Sequence, residues 1–171
     1  MSKKIILELT KEQYEKIKDQ LGLGKEISPF DRVEHGENYY FIGSDGEVRQ
    51  EVDNKVSFDN DNYEIANYST DKELMQQRAY SETLNRLLWR FSMMNGGSEI
   101  DWDNKNQTKY SIYYNFDCNM WSTNYFLHTA KYFEPYFISE EVAERAIDEI
   151  IKPFMEKHPD FKFWGVIAND R

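Results

Sequence analysis

Residues 70–97 read TDKELMQQRAYSETLNRLLWRFSMMNGG, and this stretch decides the architecture. Leu74, Met75, Ala79, Thr83, Leu84, Leu87, Leu88, Phe91 and Met94 recur at helical spacing, which predicts one continuous buried face. Thr70 stands where a helix cap belongs, and Glu73 three residues on completes a capping box. The hydroxyl would accept from one orphan N–H while the carboxylate reaches back to another. Asn95-Gly96-Gly97 closes the helix, because Asn and Gly enter the left-handed conformation at little steric cost. At about 1.5 Å rise per residue the rod is about 37 Å long, close to the width of a small domain.

Upstream of the rod, residues 63–68 (YEIANY) predict a strand with Tyr63 and Ile65 on one face, preceded by a polar interval over 53–62. Residues 39–42 (YYFI) and 48–52 flank Gly43-Ser44-Asp45-Gly46. That turn is rich in residues that tolerate positive φ, so the pair predicts a β-hairpin. Residues 3–9 (KKIILEL) predict a leading strand, and Thr10 with Gln13 forms a capping box for a short helix. Its stripe is Tyr14, Ile17, Lys18 and Leu21, stopped by Gly22 and Gly24, and an irregular connector follows over 28–38.

Downstream, residues 96–108 form a polar linker that Ile100 and Trp102 pin to the core. Residues 110–116 (YSIYYNF) and 121–127 (WSTNYFL) predict a second hairpin around Asp117-Cys118-Asn119-Met120. Residues 131–138 (KYFEPYFI) follow as an aromatic strand, which Pro135 assigns to an edge or a break. Ser139 caps another helix, with Glu140 and Glu141 in its positive first turn. Val142, Ala143, Ala146, Ile147, Ile150 and Ile151 make its apolar face. Pro153 kinks or ends it, and residues 161–168 supply a last strand. The order hairpin, aromatic strand, Ser/Thr cap, helix thus occurs twice. The expected fold is α+β, an antiparallel sheet covered by helices. The expected division is a strand–helix and connector over 1–38, a first unit over 39–97 and a second over 98–171, within one compact domain.

Twelve Tyr, 11 Phe and 4 Trp in 171 residues mark a folded chain, since disordered chains are poor in aromatics. A net charge of −10 repels phosphate backbones unless the cations gather on one face, so direct nucleic-acid binding is not expected and a basic partner is. The single cysteine, Cys118, excludes an internal disulfide and a cysteine-rich zinc site. No apolar run approaches the ~20 residues of a membrane span, and Met1-Ser2-Lys3-Lys4 leads into a strand pattern instead of a signal peptide. A soluble, cytoplasmic protein without a cofactor is the expectation.

The candidate binding residues are Asp45, Glu47, Glu51, Asp53, Asp59 and Asp61, a row of acids around the first hairpin with Arg49 and Lys55 as its few cations. Spaced carboxylates can imitate phosphates toward a basic groove. The plainer reading is a solvated edge that resists strand-to-strand aggregation. Trp121 and Tyr125 are candidate aromatic anchors, within a set that also serves as sheet core. Asp59-Asn60-Asp61-Asn62 and Asp101-Trp102-Asp103-Asn104 offer oxygen ligands, but both lack the glycine and glutamate of a calcium loop, and turn chemistry explains them. Arg78, Arg86 and Arg90 share a helix stripe with Glu82 and read as i,i+4 ion pairs. His35, His128 and His158 stand far apart. A Cys118–His128 pair lacks an orienting third group, so no catalytic residue is assigned.

Residues 39–48 (YYFIGSDGEV), Asn67-Tyr68, 70–73 (TDKE), 99–102 (EIDW), 110–114 (YSIYY) and 136–147 (YFISEEVAERAI) together resemble a family of small acidic proteins from phages and prophages of Gram-positive bacteria. The resemblance spans about Tyr39 to Ile151 and rests on hairpin turns and helix caps. The chain departs from the family pattern at Asp71-Lys72-Glu73-Leu74, where an acidic EEAE run is usual. The resemblance implies a phage accessory role in a bacterial host cell. Such proteins include inhibitors of host defence, anti-CRISPR proteins among them, and a defence nuclease of the CRISPR-Cas type is the partner this suggests. The alternatives are a nucleic-acid-binding phage regulator and a small enzyme using Cys118 and His128.

Overall fold

The computed structural model describes residues 10–17, 28–127, 131 and 135–162. The leading strand expected at 3–9, the glycine stop at Gly22 and Gly24, His128, and residues 163–168 of the terminal strand lie outside the described residues. Helix α1 spans Lys11–Ile17. Its capping box forms as expected: the Thr10 N–H donates to Gln13 Oε1 at 3.0 Å, and the Gln13 N–H donates to Thr10 Oγ1 at 3.3 Å.

The first hairpin pairs β1 (Asn38–Ile42) with β2 (Val48–Val52) in antiparallel register, Tyr40 opposite Gln50. Gly46 takes φ +86, and a Cβ there would lie 3.1 Å from Thr83 Oγ1, so the turn needs glycine both for its conformation and for its close approach to the long helix. Cross-strand pairs share a face. Tyr40, Ile42 and Val48 therefore turn one way, onto Met75 and Ala79. Tyr39 and Phe41 turn the other way, onto Tyr68 and Val33.

Helix α3 runs Lys72–Met94, 23 residues or about 35 Å at helical rise. Its cap is Asp71, not Thr70: the Leu74 N–H donates to Asp71 Oδ1 at 3.0 Å. Thr70 is held away, its own N–H donating to the Pro29 carbonyl at 2.9 Å. An ionised carboxylate also accepts more strongly than a hydroxyl. Glu73 makes no capping box and instead pairs with Lys162 Nζ at 2.8 Å. Of the expected stripe, Met75, Ala79 and Leu84 are buried and Met94 is 78% exposed. Two polar residues share the buried face. The Gln77 side chain donates to the Asp160 carbonyl at 2.9 Å and accepts from the Lys162 N–H at 2.6 Å. The Ser92 hydroxyl donates to the Tyr136 carbonyl.

The strand expected at 63–68 is not formed. Helix α2 occupies Ser57–Glu64, and what remains of the pairing is a single antiparallel bridge between Tyr40 and Ser69. Asp59 starts the helix by accepting from the Val56 N–H at 3.2 Å and the Asn54 N–H at 2.9 Å. A Schellman closure ends it: Asn67 N–H donates to the Asn62 carbonyl at 2.8 Å and Ala66 N–H to that of Tyr63 at 3.0 Å. Ala66 takes φ +57 to make this possible.

A 3₁₀ turn over Gly97–Glu99 leads to the second hairpin, β3 (Lys109–Asn115) with β4 (Met120–Phe126). Among the described residues the two hairpins form separate two-stranded sheets. Phe137 bridges to Tyr110, as Ser69 does to Tyr40, and in each case the bridging residue lies two positions before a helix cap. Ser139 caps α4 (Glu140–Ala146), accepting from the Val142 N–H at 3.3 Å. A π-helical turn over Ile147–Ile151 then joins α4 to α5 (Lys152–Lys157). Pro153 lacks an N–H and its ring would crowd the preceding turn, and the wider π turn accommodates both.

The described residues are thus α+β, with α3 as the central element. The first hairpin packs on its N-terminal half through Met75 and Ala79. Ile147, Ile151, Phe154 and Phe161 enclose Leu84 at mid-length. Phe137, Ala143 and Ala146 pack with Leu88 and Phe91 toward its C-terminus.

Candidate functional site

The acid row predicted around the first hairpin divides into a buried pair and an exposed set. Asp53 and Asp59 are 0% and 1% exposed and serve the fold, not a partner. Asp53 accepts from Arg32 Nε at 2.9 Å and Nη2 at 3.1 Å, from the Tyr68 hydroxyl at 2.9 Å, and from the Lys55 N–H at 2.9 Å. Lys55 Nζ stands 3.3 Å away. The Arg32 guanidinium, with the Lys55 amide and the Tyr68 hydroxyl, holds the Asp53 carboxyl far below the usual carboxylate range against the opposing effect of burial. Burial, helped by Asp53, pushes the Tyr68 phenol up to about 12. Asp59 accepts from the Tyr39 hydroxyl at 2.9 Å, and burial together with that carboxylate raises the Tyr39 phenol as well. Tyr39 and Tyr68 stack with ring centroids 4.1 Å apart. The result is a fixed polar core beneath β2 that ties the connector, the hairpin and α2 together. The earlier residues of this network, Arg32 and Tyr39, carry no signal of it in sequence, because their partners lie about twenty positions away.

Asp45, Glu47, Glu51 and Asp61 are exposed. Asp45 accepts from Arg49 Nη2 at 2.6 Å, and the Glu47 backbone N–H followed by Arg49 lowers its carboxyl. Glu51 lies cross-strand from Tyr39, on the face turned away from α3, and its carboxylate accepts from the Val52 N–H at 3.0 Å. Glu47, Glu51 and Asp61 have no ion pair among the described residues.

Asp45 and Glu47 line an open groove of about 450 Å³ between the β1–β2 turn, α3 and the C-terminal helical segment. Tyr80, Leu87, Ile150 and Phe154 contribute apolar lining. Glu149, Lys157 and His158 also line it. The Tyr80 hydroxyl meets Asp160 at 3.2 Å, and burial, with that carboxylate, raises the phenol. The Tyr80 and His158 rings lie 4.5 Å apart. Sequence gave no pointer to this groove, since its walls come from three separated segments. The π turn that carries Glu149 and Ile150 follows from Pro153, which the sequence did mark.

The aromatic anchors part company. Trp121 is half-buried, 5.2 Å from Tyr114 and packed beside the core around Leu84, whereas Tyr125 is 65% exposed. Cys118 is exposed in the β3–β4 turn. Arg78 and Arg86 both reach Glu82, at 2.7 and 3.9 Å, as the helical spacing predicts. In the second acidic stretch, Asp101 Oδ1 accepts from the Asp103 N–H at 3.0 Å, an Asx turn. Here the carbonyls of Asn104 and Gln107 face the fully buried Lys109, whose Nζ donates to them at 2.8 and 3.0 Å. Trp102 lies beneath the ammonium, 5.8 Å to the ring centre. Among the described residues no group of three or more His, Cys, Asp or Glu is placed to hold a metal ion, and no helix is long and apolar enough to cross a membrane. No protein-family model, no curated protein and no solved structure matches the chain.

Proposed function

We propose that this chain is a binding protein without chemistry of its own, which sets an acidic face against the basic, nucleic-acid-handling surface of a protein partner. The observation that carries the reading is the exposed set Asp45, Glu47, Glu51 and Asp61, held on a hairpin and helix that a buried polar core makes rigid. Carboxylates fixed in this way steer a basic partner at long range and compete with phosphates for its cations. The resemblance to phage accessory proteins makes a bacterial defence nuclease the partner to test first. Effectors of the CRISPR-Cas type hold nucleic acid in positively charged channels, which an acidic surface of this kind would block.

The test is capture from a bacterial host lysate, followed by target cleavage with whatever nuclease is captured. Reversing Asp45, Glu47, Glu51 and Asp61 together to Lys should weaken capture and flatten its salt dependence. Asp53 and Asp59 are left intact, because changing them would perturb the fold. Unchanged capture by the variant moves the interface elsewhere, and capture of no nuclease by the unaltered protein refutes the proposal.

A further inference from the structure

We infer that β2 is the docking edge for a second copy of this chain, the two β2 strands pairing antiparallel about a two-fold axis through Gln50. In an antiparallel ladder alternate residues bond to the neighbouring strand, and the others turn their N–H and C=O outward. The Gly43 N–H donates to the Glu47 carbonyl and the Asp53 N–H to that of Glu37, both at 2.8 Å. The odd-numbered residues of β2 therefore face β1, and Val48, Gln50 and Val52 face out. On β1 the outward groups are closed. Tyr40 exchanges bonds with Ser69 at 2.7 and 3.0 Å, and the Asn67 side chain accepts from the Ile42 N–H and donates to its carbonyl, each at 2.9 Å. On β2, neighbouring side chains hold only Val52. Its N–H donates to Glu51 Oε1 at 3.0 Å, and its carbonyl accepts from Asn54 Nδ2 at 3.2 Å. These two groups stand in for the acceptor and donor of a further strand. The outward backbone groups of Gln50, at the middle of the edge, have no partner among the described residues.

The sequence of that edge complements itself. Val48-Arg49-Gln50-Glu51-Val52, turned about Gln50, sets Arg49 opposite the partner's Glu51 and Glu51 opposite the partner's Arg49, with Val48 opposite Val52 at both ends. Arg49 and Glu51 fall at the non-hydrogen-bonded positions of the new ladder, where facing Cα atoms lie about 4.5 Å apart and side chains meet most closely. Both are exposed, on the face turned away from α3. Each makes a short-range contact within its own hairpin, Arg49 with Asp45 and Glu51 with the Val52 N–H. Pairing exchanges these for two Arg–Glu contacts and supplies Gln50 with the bonds it lacks. Charges on an edge strand ordinarily ward off other strands. These two favour a strand that presents them in reverse order, and a second copy does so. The inference stands apart from the acidic-face reading: of that set only Glu51 lies in the ladder, and the departure of Arg49 leaves Asp45 free.

The experiment is sedimentation velocity of the full chain over a range of concentrations. Salt at about 0.15 M screens the repulsion between two chains of net charge −10, while contacts inside the Debye length of about 8 Å persist. A five-residue seam is smaller than the standard interface of about 1,600 Å², so association should be weak and rise with concentration toward twice the mass of one chain. Arg49→Glu and Glu51→Arg each set like charges across the seam twice, and each variant alone should dimerise about tenfold more weakly. An equimolar mixture of the two should recover the parental association, because each then meets its opposite. The double variant carrying both changes should recover it as well. Gln50→Pro removes the outward N–H at the two-fold axis and should abolish association with a melting curve close to the parent's. In the parent, exchange of the Gln50 amide should slow as concentration rises. A chain that stays monomeric up to about 1 mM overturns the proposal. Association that survives both single charge variants overturns β2 as its seat, and a mixture no tighter than its components overturns the register about Gln50.

Discussion

Replacing Asp53 by Asn changes one oxygen to an amide and leaves size and shape alone, so its cost isolates the charge and the acceptor. Oδ2 accepts from Arg32 Nε and the Tyr68 hydroxyl, both at 2.9 Å, and Oδ1 accepts from Arg32 Nη2 at 3.1 Å and the Lys55 N–H at 2.9 Å. Whichever way the new amide faces, its N–H₂ meets at least two donors, Lys55 Nζ at 3.3 Å being a third on the Oδ2 side, in a site with no exposed surface. At least two hydrogen bonds are lost, and the guanidinium loses its carboxylate. A truncated buried charge pair costs about 3 to 5 kcal/mol, and the retained carbonyl recovers part of that, so about 3 kcal/mol is expected. Urea unfolding followed by tryptophan fluorescence at pH 7 measures it, and urea leaves the ionic strength unchanged.

The same variant has a pH signature. The folded carboxyl lies below its unfolded value of about 3.9, so its contribution is complete above that pH and is lost as the pH falls toward the folded pKa. The difference between parent and variant should therefore shrink in acid. A loss under about 1 kcal/mol at pH 7 would mean that Asp53 is not the node described. A difference that stays constant down to pH 3 would refute the linkage.

Three further outcomes follow from the packing. Ala66→Gly relieves the left-handed backbone that closes α2 and should raise stability by about 0.5 to 1 kcal/mol after the entropy of the unfolded glycine is set against it, read from urea midpoints. Leu84→Asp places a carboxylate among the apolar side chains of Ile147, Ile151 and Phe154, and should abolish cooperative melting by circular dichroism. Lys109→Met keeps the stem but orphans the Asn104 and Gln107 carbonyls. It should cost about 1 to 3 kcal/mol and speed hydrogen exchange over residues 101–108 more than elsewhere.

Local signals in the sequence located the elements that local chemistry builds. Glycine and asparagine placed both hairpin turns, the apolar period placed α3, and Ser139 and the Thr10–Gln13 pair capped their helices. Helix α2 was missed because its buried positions are Asp59 and Asn62, so it carries no apolar stripe to read. The same fact misassigned Asp53 and Asp59 to the surface. A carboxylate held by Arg32, as Asp53 is, or by Tyr39, as Asp59 is, looks identical in sequence to a solvated one. Position in space decides between them, and that information is spread over the whole first half of the chain. Thr70 lost the cap to its neighbour for a similar reason: Pro29, forty-one residues earlier, holds it.

Lys109 gives the loop over residues 101–108 a counter-ion that is covalently attached. A dissolved cation closing the same carbonyls would be present only above its dissociation constant, and the loop would open whenever the medium was depleted of it. Tethered one residue past the loop, the ammonium is supplied at an effective concentration set by the chain itself, independent of chelators and of the ionic make-up of the cell. The carboxylates of Asp101 and Asp103 are thereby released from any duty of gathering cations, and both remain exposed. The loop's closure and its outward charge are set by different residues, so either could change without disturbing the other.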